Sequence, residues 1–143
     1  MDNKLEYIPG DIVKIEYGEA TGKIGFVTNT FLRRKGCYSL VVFIGKGFQG
    51  SSKDDWIQTY NDEVSPIPLT PEILSANSFK RVRQDESGAL YFKEGLGIDI
   101  VASYVRNCYD ICIRGNRILK GIEYCHQFQH FLFGLGLEYK MKL

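Results

Sequence analysis

Val13, Ile15 and Tyr17 alternate with Lys14 and Glu16, the two-residue period of a strand with one buried face. Four more strands follow from the same kind of reading: Lys23–Phe31, Cys37–Ile44, a short run around Trp56–Tyr60, and Glu63–Pro66. Cys37–Ile44 is rich in β-branched and aromatic residues, which suits a central strand. Turn chemistry separates the runs at Gly18–Gly22, Arg33–Gly36, Gly45–Lys53 and Asn61-Asp62. Short strands so closely punctuated predict a five-stranded small barrel.

Ser65-Pro66-Ile67-Pro68-Leu69 ends that pattern, because two prolines stiffen the chain and remove backbone donors. The domains expected are therefore 1–68, a β-barrel, and 69–143, an α+β module. Thr70-Pro71-Glu72 reads as a helix start, with Thr as N-cap, Pro at the first position and Glu against the dipole. That helix should end near Asn77-Ser78. Phe79–Arg83, Ala89–Lys93, Ile98–Val105, Cys108–Arg114 and Arg117–Lys120 then form an antiparallel meander. Apolar residues at 122, 125, 128, 132 and 135 predict one long helix over about 122–134, packed on the meander and closed by Gly134 or Gly136. Leu137–Leu143 alternates and predicts a terminal strand. The fold class is mainly β, with an α+β second half.

Composition changes the picture mostly by exclusion. The 143 residues carry 18 basic and 17 acidic side chains, a formal charge of +1, so no global field gathers nucleic acid or anionic lipid. The N-terminus is polar and the apolar runs are short, which predicts a cytoplasmic protein with no membrane partner. The four cysteines sit in apolar stretches and read as reduced, buried thiols.

Three motifs resemble chemistry and fail for physical reasons. Cys108, Cys112, His126 and His130 have zinc-finger spacing. However, Asn107–Arg114 reads as extended, which puts its two thiols about 13 Å apart at strand rise. One tetrahedral zinc does not bridge that distance. His126-Gln127-Phe128-Gln129-His130 has glutamine where a zincin places its general base. Gly45-Lys46-Gly47-Phe48-Gln49-Gly50 matches a dinucleotide fingerprint but leads into Ser51–Asp55 and a strand, not a helix. No catalytic residue, metal ligand or cofactor is therefore expected, and the chain reads as a non-enzyme.

Gly10-Asp11-Ile12-Val13-Lys14-Ile15, followed by Gly18, Gly22, Gly25 and Val27, resembles a KOW motif. The resemblance implies an SH3-like barrel for the first half and a role in binding RNA or protein. The second half, through Leu69–Leu74 and Ile122–His130, resembles small uncharacterised bacterial proteins of phage-like and mobile elements.

The binding residues expected are Tyr17, Arg33, Arg34, Lys35, Lys46, Phe48, Trp56 and Tyr60, on or next to the barrel loops. Basic groups for phosphates beside aromatics for stacking are what a small barrel needs to hold RNA or DNA. Of the aromatics, Trp56 is the one best suited to filling the barrel. A protein partner, with the chain as an accessory of a mobile element, is the alternative.

Overall fold

The computed structural model describes residues 7–34, 37–45 and 55–141. Among the described residues the fold is mainly β: two five-stranded antiparallel sheets and two helices. The chain divides into two compact units. One runs to Ile67 and includes Phe128–Lys140; the other is Pro68–Gln127 with Met141.

The first unit contains β1 (Ile12–Ile15), β2 (Ile24–Arg34), β3 (Cys37–Phe43), β4 (Trp56–Tyr60) and β5 (Val64–Pro66). Their order is β4-β3-β2-β1-β5, so β4 and β5 are edges and the sheet is not closed. One face is apolar. Val13, Ile15, Val27, Leu40, Val42 and Val64 pack with Tyr7 and Ala20, and Ile44 and Ile57 lie against them. Two glycines are needed here. Gly10 turns the chain into β1 at φ 100°, and a Cβ at Gly25 would strike the carbonyl oxygen of Phe43 on the neighbouring strand.

The second unit opens with helix α1 (Pro71–Ala76). The Thr70 hydroxyl accepts the Ile73 N–H at 3.2 Å, and Ser78 leaves the helix at φ 70°. The predicted cap and stop are both present. The meander follows as β6 (Lys80–Gln84), β7 (Gly88–Phe92), β8 (Ile98–Ser103), β9 (Cys108–Ile113) and β10 (Asn116–Ile122), paired in that order. Ala89, Tyr91, Ile98, Ile100, Ala102, Tyr109 and Ile111 form its buried side.

The second helix, α2 (Cys125–Gly134), starts later than its apolar spacing predicts. Ile122 is still paired with Tyr109 in the sheet, so its backbone is committed to the ladder. Gln127 Oε1 then accepts the N–H groups of Glu123 and Tyr124, at 2.8 and 3.0 Å, and serves the helix start. From Phe128 onward α2 belongs to the first unit, where it was expected to belong to the meander. The expected terminal strand is also absent: residues 137–141 are irregular. Gly136 turns at φ 71°, Leu137 N–H bonds back to Leu132, and the Tyr139 carbonyl is taken by a glutamine side chain. Those backbone groups are not available to a ladder.

Burial in the second unit has a measurable consequence. Burial, helped by the charges of Tyr91, Glu72 and Tyr104, pushes the Tyr109 phenol up to about 12. Burial likewise pushes the Cys125 thiol up to about 12, where its sulfur faces the Pro68 carbonyl at 3.8 Å. Groups with raised folded values stabilise fully below their unfolded values, 9.0 for the thiol and 10.0 for the phenol. That contribution is lost as pH climbs from there towards 12. The unfolding free energy from urea titrations should therefore fall steeply above pH 9, by about 1.4 kcal/mol per pH unit for each group ionised only when unfolded. Tyr109→Phe should flatten the slope above pH 10; an unchanged slope would show that the phenol ionises in the folded protein.

Candidate functional site

Directly paired residues on neighbouring strands project to the same side of a sheet. Phe26 pairs with Phe43, and Phe43 with Trp56. Two residues along β3, Asn29, Val41 and Gln58 form the next row; two further on, Phe31, Ser39 and Tyr60 form a third. All three rows lie opposite the core face that holds Leu40 and Val42. Four of their aromatics are open to solvent: Phe31 is 52% exposed and Phe26, Trp56 and Tyr60 just under 40%. Phe43 is buried between Phe26 and Trp56 and fixes the tryptophan, with ring centroids 4.5 Å apart at 51°. The middle of the face is polar, where Gln58 Nε2 donates to Ser39 Oγ at 3.2 Å.

Irregularities in β2 assemble this face. Phe26 and Phe31 are five residues apart, so plain alternation would send them to opposite sides. The register shifts between Val27 and Asn29, leaving Thr28 unpaired in the ladder, with its hydroxyl on the Val41 carbonyl at 3.0 Å. A second shift, between Leu32 and Arg34, sets Arg34 opposite Cys37 on the same face. The platform thus has an arginine at one end, with Arg33 exposed beside it.

Of the expected binding residues, Arg34, Trp56 and Tyr60 are brought together here. Trp56 lies on the outer face with 38% of its surface exposed, where the sequence suited it better to the core. Tyr17 is 72% exposed but stands in the turn after β1, outside these rows. Lys35, Lys46 and Phe48 lie outside the described residues. Phe26, Phe31, Asn29 and Gln58 were not foreseen. Phe26, Asn29 and Phe31 were visible only as members of β2, and Gln58 of β4; the exposed side of a strand is indistinguishable from a buried one until its partner strands are known.

The histidines have separate surroundings. His130 Nε2 lies 2.6 Å from Oδ2 of Asp11, which is fully buried and also accepts the Ile8 N–H at 2.9 Å. Next to it, buried Gln129 accepts the Ile12 N–H at 3.0 Å and donates to the carbonyls of Gly10 and Tyr139, each at 2.9 Å. An Asp–His pair has the makings of a base and its orienting carboxylate. Here the carboxylate also holds a backbone turn, and its neighbour Gln129 ties three chain segments together, so the cluster's visible work is architectural. His126 is buried and stacks on Tyr124 at 6.0 Å. Cys108 and Cys112 sit on the extended strand β9, the geometry on which the zinc spacing failed.

Among the described residues no helix is long and apolar enough to cross a membrane. Comparison with protein-family models, curated proteins and solved structures found no match for this chain.

Proposed function

We propose that this chain is a non-enzymatic binding protein that holds single-stranded nucleic acid on the outer face of its first sheet. The observation that carries the reading is the shared face of Phe26, Phe31, Trp56 and Tyr60, with Arg34 at its end. Base faces stack on open aromatics whatever the sequence, guanidinium groups meet the phosphates, and Asn29 and Gln58 offer amides to base edges. The SH3-like, KOW-type reading of the first unit belongs to the same proposal, and the glycine roles at Gly10 and Gly25 support it. The near-neutral charge predicts weak, contact-driven binding without long-range steering.

Trp56 is the only tryptophan of the chain, so its fluorescence reports the platform directly. Short oligo(dT) and oligo(U) should quench it at low salt. Phe31→Ala and Tyr60→Ala should each weaken binding about tenfold or more, since a stacked base is worth about 1–3 kcal/mol. Two arginine contacts predict a shallow logarithmic salt slope, about −1.4. Absence of quenching with either oligomer at low salt would defeat the proposal. One observation favours a protein partner instead: Ile24, two residues before Phe26 and on the same side of β2, is also exposed and enlarges the apolar area. Partner capture that survives nuclease and high salt, and is lost in Phe31→Ala, would select that second reading.

A further inference from the structure

The second sheet carries a groove of about 270 Å³ on its outer face, unrelated to the aromatic platform. Its floor is a cross-strand row in which Arg83 pairs with Leu90, Leu90 with Val101, and Val101 with Asp110. Arg106 and Arg117 complete the rim, with Ser87, Gly88 and Ser103. Asp110 is 1% exposed and organises the arginines. Its Oδ2 receives Arg106 Nη2 at 2.8 Å and Arg117 Nε at 3.1 Å, and its Oδ1 receives the Gly121 N–H at 2.9 Å.

Each guanidinium has five N–H donors in a fixed fork, and Asp110 engages only part of each. Arg106 and Arg117 are half exposed, so their remaining donors are held in position and still accessible. Arg83 lies three strands away, about 14 Å between backbones at normal strand spacing. Arg83 lines the groove from the far side of that gap. Ser103 Oγ accepts the Arg106 N–H at 3.2 Å and keeps its own hydrogen to donate. Three arginines outnumber the two carboxylates of the groove, and Asp85 is turned to its own loop, where Oδ1 takes Ser87 N, Ser87 Oγ and Gly88 N.

We propose that this groove is a binding site for the phosphate dianion of a small phosphorylated ligand. A planar carboxylate is satisfied by a single fork, whereas tetrahedral phosphate accepts donors from several directions, as this rim offers them. The volume suits a phosphate with a small substituent and is below the usual range for larger ligands.

The test is an amide and arginine-Nε NMR titration of the full chain with inorganic phosphate, pyrophosphate and, separately, acetate. Phosphate and pyrophosphate should give saturable shifts at Gly88, Ser103 and the three arginines, and acetate should not. Arg83→Gln, on a strand exposed throughout, should keep the fold and weaken phosphate binding on the order of tenfold, the loss of one charge-assisted contact. Arg33→Gln/Arg34→Gln should leave it intact, which separates this site from the aromatic platform. No saturable shift at tens of millimolar, equal shifts with acetate, or unchanged affinity in Arg83→Gln would each overturn the proposal.

Discussion

Gln129→Leu should lower the stability of this protein by about 4 kcal/mol, because it strands three backbone groups at a cost of about 1–3 kcal/mol each. Leucine keeps most of the volume, so the loss reports hydrogen bonds and not a cavity. The Ile12 N–H and the carbonyls of Gly10 and Tyr139 would all lose their partner. Urea unfolding should show the midpoint drop with little change in slope. Gln127→Leu is the matched control. It also removes a glutamine bound to backbone, but its two N–H partners are exposed to water, and the expected cost is about 1 kcal/mol. Equal losses for the two variants would show that Gln129 is not the tie described here.

Asp110→Asn is the second large effect. The carboxylate binds two guanidinium groups and one backbone N–H from a fully buried position. Both arginines are half exposed and regain water when released, which lowers the expected loss to about 2 kcal/mol. The loss should also depend on pH. Burial by itself would raise the Asp110 carboxyl, but the Arg106 hydrogen bond, the Gly121 N–H and the charges of Arg106 and Arg117 outweigh it and hold the group below 3.8. A depressed folded value stabilises fully above the unfolded value and is lost as pH falls through the folded one. The gap between wild type and Asp110→Asn should therefore be widest near neutrality and close below pH 3.8. A gap that persists through the acid range would mean the arginines, and not the carboxylate charge, carry the effect.

Local chemistry made much of this protein legible in advance. Thr70-Pro71-Glu72 specifies a helix start through backbone donors within a single turn, and α1 begins there. The meander strands fall close to their alternating runs, because a strand that covers one apolar face must alternate. The helix start at Cys125 was less legible. Ile122 fits both the helical stripe and the strand, and only its ladder partner, Tyr109, decides between them.

The sequence by itself determined the order of strands and helices as far as α2, though not the irregular chain that follows it, together with most turn positions, the cap of α1 and the break near Pro68. Each depends on residues within a few positions of one another. Tertiary structure decided which side chains share a face. Phe26, Phe31 and Arg34 meet through two shifts in register that alternation does not encode, with Trp56 and Tyr60 supplied by a strand two places away. Arg83 and Asp110 share a row across four strands, and Asp11 finds His130 far along the chain. Such encounters depend on pairing register, and one residue of slip reverses every side chain.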